Sequence, residues 1–337
     1  MAKNKVTRMV GVDVSARWLD VSRGASDEAV ERRQFANTDG GHRELVRWVT
    51  QSGRPARVVL EATGLYGLDL ALTLQRTRGV EVMVINPRAS KEFAGACGQR
   101  ARTDATAAEM LREFATRMAF TAWTPPSATA LALRTIMRRV VSLIEMRVQE
   151  ANRLHAVSVT EALPVVVRTD IRQHLRSLSR QILRLEQEAR AIVESAPALC
   201  TRYRHLCSVK GIGRRSALMI LAEVDVLPPD LTVRQWVAYA GLDPRPIQSG
   251  SSVRPPVHIS KRGPAYLRRA LFMPALVAVR RNPPVQQFAA ELAARGKAPL
   301  AVLVAVMRKL LHAIYGMFQS DTDFVPDKFR QPARTAA

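Results

Sequence analysis

The chain has 337 residues, with 51 Lys and Arg against 29 Asp and Glu, a formal net charge of +22. A balance this one-sided calls for a polyanionic partner, nucleic acid being the commonest, and a hydrophobic content of 47% excludes global disorder. Cys97, Cys200 and Cys207 lack CxxC spacing and an even count, which fits a reduced, cytoplasmic setting, and the six histidines have no metal-ligand spacing, which argues against a zinc site.

Residues 1–125 alternate strand and helix signals. The opening MAKNKVTRMVGVDV is expected to run straight into a strand, without the apolar core of a secretory leader. Met9–Val14, Leu19–Arg23 and Ala29–Phe35 read as three successive strands joined by short polar turns. A helix over Gly41–Gln51, a strand over Arg57–Glu61, a helix over Gly67–Arg78 and a strand over Val80–Ile85 follow, and Asn86-Pro87 ends the last strand. Three antiparallel strands followed by βα units are the ribonuclease-H-like order, a mixed sheet with helices on its faces. Ligands in such sheets gather at the carboxyl ends of strands, where Asp13 of VGVDVS and Glu61 of VVLEATG fall. Asp104, in ARTDATAAEM, opens a helix-like stretch after a loop. Gathered carboxylates repel one another, and a divalent metal is the usual reason to tolerate them. Two such cations can clamp both the attacking and the leaving oxygen of a phosphodiester. The plainer reading is that acids at strand and helix ends are common.

Residues 126–198 are helical and repetitive. Leu133, Met137, Val140, Ile144, Ala151 and Leu154 keep a 4-3 spacing interrupted by Arg147. After Leu163-Pro164 the pattern returns through Ile171, Leu175, Leu178, Ile182, Leu185, Ala189 and Ile192. Two such helices joined by a short turn make an antiparallel coiled-coil hairpin. Either its seams zip against each other, or part of the surface pairs with a second protomer, which Arg147 would permit.

Residues 199–320 are expected to be mainly helical, ahead of a tail over 321–337. Lys210-Gly211-Ile212-Gly213, between two helical segments, has helix-hairpin-helix character. Glycines let the backbone approach phosphate, and the following helix, which opens with Arg214 and Arg215, offers free N–H groups. The alternative is a plain helix–helix turn. Further on, AYAGLDPRPIQSGSSVRPPVHISKRGPAYLRRAL carries Ser249, Ser251 and Ser252 in a loop, then the basic turn Ser260-Lys261-Arg262-Gly263, then a helix bearing Arg268 and Arg269. A serine hydroxyl beside several cations is well placed to attack a phosphate, because the cations stabilise the developing charge. By composition alone such a serine is a turn residue, and His258 is the nearest histidine in sequence. The expected nucleic-acid contacts are Lys210, Gly211, Gly213, Arg214, Arg215, Lys261, Arg262, Arg268 and Arg269. The best apolar run, Ala298–Met307, is ten residues between Lys297 and Arg308, too short to span a membrane and expected to be a buried helix.

GVDVS with Asp13, LEATG with Glu61, RTDA with Asp104, EANRLHA at 150–156, SVKGIG at 208–213, and AGLDPRPIQSG followed by ISKRGPAYLRRAL fall in one order along nearly all of the chain. In these motifs the chain resembles the insertion-sequence-110 family of transposases, including its insertion-sequence-1111 branch, whose relatives include the Piv-type DNA invertases. The resemblance implies a RuvC-like metal domain with a DEDD set of acids over 1–125, a coiled-coil spacer over 126–198, and a C-terminal transposase domain over 199–320. It implies Mg2+ on Asp13, Glu61 and Asp104, and Ser249 as the nucleophile that forms a phosphoserine link to DNA. It also implies a structured non-coding bridge RNA that pairs with element-end and target DNA. Assembly would run from dimer to tetramer, the metal domain of one protomer sharing active sites with the serine domain of another.

One position departs from that pattern. The family places a second aspartate three residues after Asp104, and here that residue is Ala107. Glu109 lies about 140° further round a helix from Asp104 and cannot simply substitute. Three readings follow: three acids with water completing the coordination, Glu109 reaching in from a helix that starts later, or a metal-impaired copy. The functional expectation is a DNA recombinase that excises and inserts its own element. Two other classes remain: a nucleic-acid-binding relic needs neither Ser249 nor the acids, and a branched-DNA nuclease needs the acids alone.

Overall fold

A computed structural model of the chain describes residues 6–62, 64–99, 104–159, 162, 164–246 and 257–330. The chain divides into two compact units, Met1–Pro125 and Pro126–Ala337.

In the first unit, β1 (Arg8–Val14), β2 (Trp18–Ala25) and β3 (Glu28–Ala36) form an antiparallel meander. Strands β4 (Ala56–Glu61) and β5 (Val80–Ile85) continue the sheet in parallel with β1, giving the order β3-β2-β1-β4-β5. The order and directions are consistent with a ribonuclease-H-like sheet. Alternation along each strand sorts the side chains onto two faces. Val10, Val12, Leu19, Val21, Val58 and Leu60 are buried with α1 (Asp39–Val49) and α2 (Leu68–Gln75). Met9, Val59, Met83 and Ile85 pack with Phe93 of α3 (Pro87–Ala96) and with Leu111 and Phe114 of α4 (Asp104–Arg117).

Local chemistry sets the helix boundaries. The Thr38 hydroxyl accepts the Gly41 N–H, so α1 starts at Asp39, two residues before the expected Gly41, and gives way to a 3₁₀ turn over Gln51–Gly53. Helix α2 ends at Gln75, short of the expected Arg78. Asn86-Pro87 does more than end a strand: Asn86 Oδ1 accepts the Arg88 N–H, and Pro87 takes a first-turn position that needs no donor, so α3 begins there.

In the second unit, α5 (Ala128–Val157) and α6 (Val165–Ser195) pack against each other as a helical hairpin. Leu133, Met137, Val140, Leu178, Ile182 and Ala189 of the expected seam are buried. They share one core with α7 (Pro197–Ser208), α8 (Arg214–Val224), α9 (Val233–Ala240), α10 (Ala265–Arg281), α11 (Pro283–Ala294) and α12 (Pro299–Ser320). The hairpin and the C-terminal helices therefore form one body, because the seam residues belong to the same buried cluster as the C-terminal helices. Arg138 of α5 clasps Glu223 of α8 through bonds of 2.7 and 2.9 Å and lies over the Tyr266 ring, which ties the two segments together.

By length and composition α12 is long and apolar enough to cross a membrane, with a mean hydropathy of 1.6 over its best window. It nevertheless carries Arg308 and Lys309 at mid-length, and Val302, Val306, Leu310, Leu311 and Ile314 are buried in this unit's core. That is the pattern of a core helix. The segment after it is also built in: Phe329 of α13 (Pro326–Arg330) is 2% exposed and meets the rings of Phe288 and Phe324 at 6.0 Å. Buried His205 holds the intervening turn, with Nδ1 2.7 Å from Asp323 and Nε2 3.1 Å from Asp321. Burial pulls the imidazole pKa down, but the two carboxylate hydrogen bonds outweigh it and raise the pKa above the ordinary value.

Candidate active site

The sheet brings two of the three sequence-identified acids together. Strands β1 and β4 run parallel with Val12 beside Leu60, so the next residues in register are Asp13 and Glu61. In-register residues of parallel neighbours project to the same face, here the face of Gly11 and Val59, at the carboxyl edge. Glu61 is further held by the Ser90 hydroxyl of α3, which donates to its Oε1. Sequence reasoning did not single out Ser90. Its signal was the Asn86-Pro87 helix start, which sets Ser90 in the first turn after β5, the strand paired with β4.

Helix α4 crosses this face at closest range over Gly11. A Cβ on Gly11 would stand 2.0 Å from the Ala108 carbonyl oxygen and 2.3 Å from the Arg112 nitrogen, so the helix can lie there only on glycine. Phe120, just beyond α4, stacks its ring at 5.0 Å from the Arg57 guanidinium, near the amino end of β4. The helix thus descends from the carboxyl edge to the amino edge, and its first residue, Asp104, starts on the side of Asp13 and Glu61. Position 104 falls on the helical stripe of the buried residues Ala108, Leu111 and Ala115. For Asp104 the backbone alone is described. Among the described residues no group of three His, Cys, Asp or Glu side chains could hold a metal ion.

The start of α4 at Asp104 also bears on the missing acid. Glu109 pairs with Arg32 of β3, toward the far edge of the sheet, so it does not stand in for the residue at Ala107. Two aligned carboxylates and a third acid at the start of a crossing helix remain, all hard oxygen donors of the kind magnesium takes.

Ser249, Ser251 and Ser252 lie outside the described residues. The connection that carries them leaves β6 (Pro244–Arg245) and returns at β7 (His258–Ile259), two short strands paired antiparallel with Arg245 opposite His258. Below this pair the basic turn is rigidly seated. Ser260 is buried, its hydroxyl donates to Asp243, and its N–H donates to the Asp243 carbonyl at 2.9 Å. A Cβ on Gly263 would fall 1.4 Å from the Tyr239 carbonyl oxygen, so this turn passes directly against the end of α9.

The expected nucleic-acid contacts divide into two groups. Lys210, Gly213, Arg214, Arg215, Lys261, Arg262 and Arg269 are exposed. Arg268 is different: one Nη donates to the Ala240 and Gly263 carbonyls at 2.8 and 2.9 Å, and burial lowers its pKa. It braces the turn from within, and its Nη1 is not offered to phosphate. Arg215 pairs with Glu186 of α6, and Arg269 with Glu145 of α5. Gly211, at a φ of 122°, faces Ala278 of α10, which a Cβ would meet at 3.0 Å, and Asn282 donates to the Lys210 carbonyl at 3.0 Å. Close approach at Gly211 therefore serves helix packing, as in the plain-turn reading, while Gly213 opens α8 with no atom within 4 Å of where a Cβ would be.

Two transposase family models match the chain: the DEDD-type transposase of IS110 over residues 10–164, and the transposase IS116/IS110/IS902 family over residues 203–290. Pilin gene-inverting proteins of Moraxella bovis and Moraxella lacunata are each 26% identical to it over 319 residues, spanning 94% of this chain and 97% of theirs. An uncharacterized 43.6 kDa protein of insertion element IS110 from Streptomyces coelicolor is 27% identical over 174 residues, 52% of this chain and 41% of its own length. The first model takes in the acid edge, the second the turns at Gly211 and Ser260: the chain belongs to the IS110 family of transposases.

Proposed function

We propose that this transposase cuts and rejoins DNA strands with Ser249 as nucleophile and Asp13, Glu61 and Asp104 as ligands of Mg2+. The observation that carries the reading is the register of β1 and β4, which aligns Asp13 with Glu61 on the face crossed by α4. Magnesium bound there would supply positive charge to the phosphate oxygens during exchange. The chain's own residues do the rest. Ser90 fixes the Glu61 carboxylate, and Gly11 lets α4 bring Asp104 to the same edge. The Ser249 hydroxyl forms the new P–O bond as the bond to one deoxyribose oxygen breaks; the serine proton leaves and the departing oxygen gains one. The phosphodiester energy is kept in the phosphoserine link, so rejoining needs no nucleotide cofactor.

The net charge of +22 supports element-end and target DNA as substrates, together with a bridge RNA that supplies the sequence reading. The pilin gene-inverting relatives support inversion as a second outcome of the same exchange. Self-assembly is supported by the far half of the helical hairpin: the buried residues of α5 end at Leu143, while Met146, Val148, Val159, Val165 and Val166 are exposed. The setting is the bacterial cytoplasm. The test is a metal-dependent strand-exchange assay on element-end DNA, in which Asp13→Asn, Glu61→Gln and Ser249→Ala must each abolish product. Cleavage that survives Ser249→Ala would favour a nuclease instead.

A further inference from the structure

The acid edge carries a feature that the family assignment does not explain. Trp18, at the start of β2, and Leu65 and Tyr66, in the loop after β4, are 49, 64 and 60% exposed near the edge that carries Asp13 and Glu61. Large aromatic side chains are costly to leave in water. Trp18 begins β2, where Asp13 faces Asp20 across the antiparallel pair, and alternation puts positions 18 and 20 on the same face as Asp13. Tyr66 precedes Gly67, where a Cβ would meet Leu60 at 3.2 Å, Val14 at 3.7 Å and the Glu61 carbonyl at 3.9 Å. The loop bearing Tyr66 therefore packs against Leu60 and Val14 at the carboxyl ends of β1 and β4, so that it and Trp18 border the acid edge from its two faces.

One side chain locks these loops together. Asn37 donates through Nδ2 to the Ser15 carbonyl at 2.9 Å and to the Tyr66 carbonyl at 3.1 Å, and its backbone N–H donates to the Arg17 carbonyl at 2.9 Å. Its Oδ1 is left to accept from Nε2 of buried His42 at 2.8 Å, which fixes the imidazole tautomer. The turn itself is closed by Ser15, whose hydroxyl donates to the Trp18 carbonyl and accepts the Trp18 N–H. Both donors and the acceptor of Asn37 are thus used to hold two aromatic loops in fixed register beside the acids. Preorganisation of this kind favours a ligand that needs flat, rigid surfaces. Arg17, next to Trp18 in the chain, is an exposed cation.

We infer that Trp18 and Tyr66 form a stacking platform for unpaired nucleobases of the DNA strand presented to Asp13 and Glu61. Stacking on aromatic rings suits single-stranded nucleic acid because every base has a π-face, while Arg17 meets the backbone between bases. The platform draws bases out of the helix beside the phosphate to be exchanged, and Asn37 acts as its positioning residue. This inference rests on the DNA-recombinase reading.

The test uses the full chain and a DNA junction with 2-aminopurine in its unpaired strand, followed by emission and by anisotropy over a range of salt. Wild-type protein should quench the emission on binding. Trp18→Leu and Tyr66→Leu should lose the quench and bind the junction roughly tenfold more weakly, with the salt slope and the affinity for plain duplex unchanged. Tyr66→Phe should restore the quench, and Asn37→Ala should reduce it. Unchanged emission in both leucine variants would overturn the platform while leaving DNA binding intact. A changed oligomeric mass with unchanged emission would make the patch a contact between copies of the chain, which also overturns it. Wild-type protein that binds no DNA would sink the recombinase reading itself.

Discussion

At the acid edge, Asp13 and Glu61 project from neighbouring strands whose register and alternation decide where they point; in the basic turn, Ser260, Lys261, Arg262 and Gly263 are placed by contacts with α9 and α10. Both regions are closed by a glycine that a backbone segment crosses, Gly11 under α4 and Gly263 against Tyr239. They differ in how they use charge. The sheet leaves its carboxylates at an edge. The helical unit turns some of its arginines inward as ties: Arg138 on Glu223, Arg215 on Glu186 and Arg268 on two carbonyls. A count of cations therefore does not distinguish those that face solvent from those that tie helices together, whereas the strand register sets where the two carboxylates stand.

The comparison can be broken most violently at its glycines. Gly263→Ala and Gly11→Ala should each cost about 3 kcal/mol of stability, because backbone atoms must move. Gly213→Ala, with open space around it, should be close to neutral. Denaturant unfolding of the three variants checks the order, and equal midpoints would mean that neither crossing is as tight as described.

Next in size are the acids. Asp13→Asn and Glu61→Gln should lower strand exchange by roughly 10²-fold or more while leaving the unfolding midpoint near that of the parent chain. Ser90→Ala should give a smaller loss through a less fixed Glu61. Variants that unfold early would instead assign the carboxylates to folding.

The charge argument is sharpened by setting Arg262 against Arg268. Arg262→Ala should flatten the salt dependence of DNA affinity by about 0.9 in the log–log slope, the value for one lost phosphate contact. Arg268→Ala should lower stability and keep the slope. A lower slope for Arg268→Ala would return that residue to the interface.

The smallest effect concerns the turn after α12. His205 has a raised pKa in the folded chain, so its contribution is complete below the ordinary histidine value of about 6.5 and is lost as pH rises through the folded value. Unfolding midpoints across that window should fall with pH in the parent chain and lose this component in His205→Gln. Identical profiles would remove the carboxylate clasp from the account.

Much of the sheet was legible because strand alternation, the polar turns and Asn86-Pro87 are local signals. The acids were legible for the same reason, since two of them close apolar strands. The hairpin's heptads marked the helices but could not say what covers them: Leu133 and Ile182 share one buried cluster with residues of the C-terminal helices, a long-range arrangement with no local pattern. Nothing in the sequence told Arg268 apart from its neighbouring cations, because its two acceptors are carbonyls from α9 and from the basic turn, which only the tertiary fold brings to it. Ser90 and Asn37 escaped notice because a single hydroxyl or amide acquires its role only when loops distant in sequence meet around it.

The most direct test of the account is covalent trapping. The full chain, with Mg2+, element-flanking RNA and labelled end-junction DNA, should yield a denaturant-resistant protein–DNA adduct that disappears in Ser249→Ala and in Asp13→Asn. Metal-dependent cleavage that leaves no adduct and persists in Ser249→Ala would contradict it.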